Sequence, residues 1–127
     1  MIIDTDVFIW LTRGNTRAIE FLDSIDEYHI SDMTYMEVVQ GTKNKQEFRL
    51  FKKMLEEMGV ERIPLDPAIS AKASELVEEY AHSHSVHAAD SLIAATALVY
   101  ELPIATGNIK HFSPIPELEI YAFSPLS

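Results

Sequence analysis

No cysteine occurs in this chain, which excludes disulfide cross-links, thiolate metal sites and cysteine nucleophiles together. No apolar run reaches the roughly 18 residues needed to cross a bilayer, and no basic stretch leads into a long apolar segment near the amino terminus. The sequence therefore predicts a protein with no membrane association, soluble and cytoplasmic. Positive charge is scarce: 10 Lys plus Arg against 20 Asp plus Glu give a formal net charge of -10 at pH 7. That balance argues against tight binding to polyanions through overall charge. A helix-turn-helix pattern is missing, which argues against a DNA-binding module, and so is a glycine-rich phosphate loop, which argues against P-loop ATP hydrolysis. Repeats, low-complexity tracts and interdomain linkers are also absent. The 127 residues are read as a single domain, residues 1–127, large enough to bury a core without cross-links.

Against this background, two carboxylates stand out in the first hydrophobic run. Asp4 and Asp6 interrupt Ile2 to Ile9, which reads as a buried amino-terminal strand. Paired anions beside a core repel each other unless a cation or a proton intervenes, so a divalent cation is the expected companion. Helices are expected over about Thr16 to Ile25, after Ser31, over Lys45 to Met58, from Asp66-Pro67 to about His82, and from His87 or Ala88 to Tyr100. Short strands are expected at Tyr28 to Ile30, Val60 to Leu65, Pro103 to Thr106 and, at a sheet edge, Glu119 to Phe123. Strands alternating with helices, several of them apolar on both faces, imply a mostly parallel sheet of about five strands between helical layers, a three-layer α/β/α domain. Ligands in such folds bind beyond the carboxyl ends of the strands. Asp4, Asp6, Ser31, Thr106 and Asn108 all fall near such ends.

Asp90 opens the most buried-looking helix, where an acid is also explained by the helix dipole or by capping. Ser31, Thr34 and Glu37 recur at spacing three, which puts Thr34 and Glu37 on one helix face. Folded together, Asp4, Glu37 and Asp90 would offer the oxygen ligands that Mg²⁺ or Mn²⁺ prefers. Six of the ten basic residues, among them Lys45, Arg49 and Lys52, lie between positions 43 and 62. They suit RNA phosphates, a protein partner, or simply a solvated helix face with pairs such as Lys52 with Glu56 and Lys53 with Glu57. Arg13 is a further candidate for a phosphate or partner contact. His82 to Ser85 reads as a polar connection, His84 and His87 lack further zinc ligands, and His111 is read as structural or peripheral.

Four separated blocks carry a resemblance that spans nearly the whole chain: Ile3-Asp4-Thr5-Asp6-Val7, Ser31 through Thr34 and Glu37 to Gly41, Ala89-Asp90-Ser91-Leu92-Ile93-Ala94-Ala95, and Ala105-Thr106-Gly107-Asn108 followed by His111-Phe112. In their order and spacing they resemble PIN domains, and within them the VapC-type toxin ribonucleases of toxin–antitoxin systems. The resemblance implies a Mg²⁺-dependent endoribonuclease, with Mn²⁺ as a substitute, an RNA substrate, a cognate antitoxin and a homodimer. Asp4, Glu37 and Asp90 match the family's acidic metal positions and Thr106 its small hydroxyl residue. Asn108 stands where a fourth acid is frequent, and Asp6 where asparagine is common. Asp6, Ser31 and Thr34 would then support the ligands from behind, and Thr106 with Asn108 would hold waters or the scissile phosphate. Two other classes stay open at this point. One is a metal-dependent phosphohydrolase of a small substrate; the other is a noncatalytic interaction protein, for which the Asn108 departure speaks.

Overall fold

The computed structural model of the chain describes residues 1–126. Five strands form one sheet in the order β3-β2-β1-β4-β5, and every adjacent pair is parallel. They are β1 (Ile2–Ile3), β2 (His29–Ser31), β3 (Glu61–Ile63), β4 (Ile104–Thr106) and β5 (Ile120–Ala122). The helices are α1 (Thr5–Thr12), α2 (Thr16–Asp23), α3 (Asp32–Gln40), α4 (Lys45–Met58), α5 (Pro67–His84), α6 (Ala88–Val99) and α7 (Ile109–Phe112).

Alternation along each strand feeds two cores on opposite faces of the sheet. Ile2, Ile63 and Ile104 pack with Ile69, Ala73 and Leu76 of α5 and Ile93, Ala94 and Ala97 of α6. Ile3, Ile30 and Ala105 pack on the other face with Val7 and Phe8 of α1, Ala18 and Leu22 of α2, Val38 of α3 and Phe51 of α4. The result is the expected α/β/α sandwich, with a wholly parallel sheet. Phe8 has no exposed surface and meets the Phe51 ring edge-on at 6.2 Å; truncating it to alanine costs about 3–5 kcal/mol.

Most helix starts follow from capping side chains. Asn15, Ser31, Asn44 and Asp66 each accept a backbone N–H from the first turn of the helix they open, and Pro67 occupies the first position of α5. Gly59 closes α4 in the left-handed conformation at φ +67°, where a side chain would be strained.

One expectation fails at the start of the chain. The strand expected over Ile2 to Ile9 is two residues long, and α1 begins at Thr5. The run is rich in β-branched and aromatic residues, and a short, continuously apolar segment has no period that separates strand from buried helix. What decides is Asp4, whose Oδ1 accepts the Thr5 N–H at 2.8 Å and caps the helix. Trp10 accordingly lies on α1. Similarly, His82 and His84 form the last turn of α5 rather than a loop, with Ser85 ending it at φ 54°. Gly107 and Asn108 lead from β4 into the single turn of α7.

Candidate active site

The sheet order reverses direction between β1 and β4, and the crevice beyond their carboxyl ends is where a fold of this kind binds ligands. β1 pairs with β4 through Ile2 with Ile104 and Ile3 with Ala105, so the residues that follow, Asp4 and Thr106, meet at that point. Thr106 Oγ1 donates to Asp4 Oδ2 at 2.7 Å and accepts the Asn108 N–H at 2.9 Å. Asn108 thus contributes its backbone to the arrangement. Thr106 is wholly buried and Asp4 is 4% exposed.

Asp6 sits beside Asp4 on the first turn of α1. Its Oδ2 accepts the Gly107 N–H at 2.9 Å, tying the helix to the loop after β4. That loop approaches so closely that a Cβ at residue 107 would lie 2.6 Å from Asp6 Oδ2 and 3.2 Å from the Phe123 carbonyl oxygen. The other Asp6 oxygen, Oδ1, is buried with no hydrogen-bond partner. Burial and then the Asp6 charge push the Asp4 carboxyl from its ordinary 3.8 up to about 8, against the opposing pull of the Thr106 and Thr5 hydrogen bonds. Burial also raises Asp6.

Glu37 reaches the same place from α3. Its Oε1 accepts the Thr5 hydroxyl at 2.7 Å, and Thr5 Oγ1 lies 3.1 Å from Thr34 Oγ1. Thr34 therefore belongs to the network, as its spacing suggested, whereas Ser31 caps α3 by accepting the Met33 N–H at 3.0 Å. Thr5 went unnoticed in the sequence because the run was read as a strand, which turns Thr5 to the face opposite Asp4 and Asp6; the signal available was its place between the two carboxylates. Asp90 lies in the first turn of α6, with His111 Nδ1 3.2 Å from its Oδ2. His111 thus contacts one of the candidate acids, within ion-pair range but outside hydrogen-bonding alignment.

Among the described residues, no group of three or more His, Asp or Glu side chains stands ready to hold a metal ion. The donor set nevertheless fits a hard cation. Mg²⁺ typically takes one or two carboxylates and fills its shell with waters and substrate phosphate. The Asp4–Asp6 pair, with its raised titration and its unpartnered oxygen, is the kind of site such a charge would relieve.

The candidate basic residues divide between the exposed face of α4 and a groove that Glu37 also lines. Lys45, Arg49 and Lys52 are exposed on α4. Lys53 pairs with Glu57 at 3.8 Å as expected, while Lys52 stands over the Phe48 ring at 5.6 Å and makes no ion pair with Glu56. Arg13 stacks 5.5 Å from the Trp10 ring centroid. It lines a groove of about 720 Å³ that has Glu37 in its wall and Leu11, Leu50, Phe51 and Met54 among its apolar residues.

The family description PIN domain matches residues 1–117. The chain belongs to the PIN-domain family. This PIN domain is similar to Ribonuclease VapC of Rickettsia bellii, with 32% identity over 134 residues covering 94% of this chain and 93% of that protein. It is also similar to Ribonuclease VapC10 of Mycobacterium tuberculosis, with 29% identity covering 94% and 90%. A toxin–antitoxin complex from Klebsiella pneumoniae contains a chain that superimposes on this PIN domain with a TM-score of 0.81 at 26% identity, covering 99% and 98%. DNA-bound VapBC from Salmonella typhimurium has the same fold, with a TM-score of 0.83 at 21% identity and 97% coverage of each chain.

Proposed function

We propose that this PIN domain is an endoribonuclease, the toxin of a toxin–antitoxin pair, that hydrolyses RNA phosphodiester bonds with Mg²⁺ or Mn²⁺ held at Asp4, Glu37 and Asp90. The observation that carries the reading is the buried Asp4 at the β1–β4 switch point, hydrogen-bonded by Thr106 and flanked by a second carboxylate with an unpartnered oxygen. Its ribonuclease relatives run nearly its full length.

A divalent cation there would supply an activated water at neutral pH and offset charge developing on the phosphate. The chain's own residues do the rest by placement. Thr106 fixes the Asp4 carboxylate and leaves the other Asp4 oxygen on the Thr5 N–H. Asp6 and Gly107 hold the β4–α7 loop so that Thr106 stays aimed. Glu37 and Asp90 would add negative charge from two further helices, and the exposed Asn108 side chain would hold a water or a phosphate oxygen. No side chain is needed as a nucleophile. Since the carboxylates would repel RNA by themselves, cation binding precedes productive substrate placement.

The partner we assign is a cognate antitoxin that lays an apolar segment in the groove beside Glu37, where Leu50 is 60% exposed. A homodimer in the cytoplasm completes the proposal; none of the helices among the described residues is long and apolar enough to cross a membrane. Cleavage of a mixed structured-RNA pool by the purified protein and by Asp90→Asn, with Mg²⁺, with Mn²⁺ and with chelator, tests the reading. Metal-dependent products that vanish in the variant are expected. Metal-independent cleavage, or undiminished cleavage by a folded Asp90→Asn, removes the proposed chemistry.

A further inference from the structure

Asp4, which caps α1, and Glu37, on α3, come from distant parts of the chain, and one residue touches both. Thr5 gives its backbone N–H to Asp4 at 2.8 Å and its hydroxyl to Glu37 at 2.7 Å. We infer that Thr5 is a positioning residue of the nuclease centre: with Thr34 behind it, its hydroxyl sets the orientation in which the Glu37 carboxylate receives a divalent cation. This inference rests on the nuclease reading above.

The direction of the relay follows from proton counting. An ionised carboxylate only accepts, and a hydroxyl has a single proton. The Thr5 proton therefore goes to Glu37, and the Thr5 oxygen accepts from Thr34, whose hydroxyl is fully buried and lies 3.1 Å away. The bond to Glu37 is charge-assisted, and chains of hydrogen bonds polarise one another. Glu37 itself is only partly buried, on a side chain with three rotatable bonds. Without the Thr5 donor, nothing among the described hydrogen bonds restrains its carboxylate.

The hydroxyl is not needed to start the helix. The Asp4 cap uses the Thr5 backbone, which any residue other than proline supplies. A hydroxyl at this position is therefore separable from the fold, and a valine there keeps the shape while deleting the donor.

The test is calorimetric titration of the full chain with Mn²⁺ alone, alongside RNA cleavage measured as separate kcat and KM. Thr5→Val is expected to weaken Mn²⁺ binding about 10-fold, the lower end of what loss of a supporting partner costs a metal site, and to lower kcat more than it raises KM. Thr5→Ser should stay close to wild type, and Thr5→Val should cost nothing further in a Glu37→Gln background. Should the valine variant not fold, Thr5→Ala provides the same comparison with Thr5→Ser. Unchanged Mn²⁺ affinity in Thr5→Val or Thr5→Ala, or an equal loss in Thr5→Ser, overturns the relay while leaving the nuclease intact. A wild-type protein that neither binds Mn²⁺ nor cuts RNA takes down the nuclease reading and the relay with it.

Discussion

Asp4 makes the stability of the metal-free protein depend on pH in an unusual direction. Its carboxyl titrates near 3.8 when unfolded and at about 8 when folded. Between those values the folded state holds a proton that the unfolded state has lost, so unfolding releases one proton. Stability is then full below the unfolded value and falls as pH rises toward the folded one, by about 1.4 kcal/mol per pH unit. Moving from pH 5.5 to 7.5 removes about 3 kcal/mol, equivalent to roughly 10 °C in a domain of this size. Asp6, also raised, acts with the same sign. Other acids and histidines titrate too, so the informative quantity is the difference from Asp4→Asn. An asparagine keeps the cap through its Oδ1, and its amide can donate to Thr106 Oγ1, which has a second lone pair for the Asn108 N–H. Thermal melts in chelator at both pH values should show the wild type losing about 3 kcal/mol more than Asp4→Asn over this interval. Adding Mg²⁺ at about 100 times its dissociation constant should restore about 2.7 kcal/mol at pH 7.5 to the wild type and little to the variant. Parallel profiles for the two proteins would refute the reasoning, since they would mean that Asp4 is ionised at no cost in the folded state.

Thr106→Val removes the donor to Asp4 Oδ2 and should lower cleavage by about 10- to 100-fold, with a loss of about 1–3 kcal/mol from the unpaired buried carboxylate and Asn108 N–H in chelator, read by urea denaturation. Gly107→Ala drives a methyl group into Asp6 and should cost about 1–3 kcal/mol; a double-mutant cycle with Asp6→Ala should recover much of it, because the obstructing oxygen is then gone. Leu50→Asp on the exposed side of α4 should leave the melting point within about 0.5 kcal/mol of wild type and RNA cleavage unchanged, while weakening antitoxin binding at least about 10-fold in a titration.

How far the residues announced this structure depends on the kind of signal. The cap Asp66, with Pro67, located the start of α5 closely, because capping is a local contract between a side chain and the next turn. The amphipathic stripe through Phe51 and Leu55 located α4. The first strand was misread because Val7, Phe8 and Ile9 favour extended backbone by composition, while the Asp4 cap starts a helix there and the core takes up Val7 and Phe8 on it. At the site, Asp4 and Thr106 were legible from their places at strand ends, and Glu37 and Thr34 from helical spacing. Thr5, the Gly107 contact with Asp6 and the approach of His111 to Asp90 were not. Each depends on a distance between elements far apart in the chain, which no local pattern encodes.

That separation bears on when the molecule acquires its chemistry. Asp4 emerges at the start of synthesis, but the hydroxyl that fixes it belongs to a residue 102 positions later. At roughly 5–20 residues per second, this leaves about 5–20 s during which a growing chain has β1 without β4 beside it. A nascent chain is therefore incomplete at its centre until nearly all of it has been translated, and one stalled before β4 carries Asp4 without Thr106. The order of the sheet, with its first strand in the middle and the fourth beside it, thus acts as a timer on the ribosome as well as a cradle for the site.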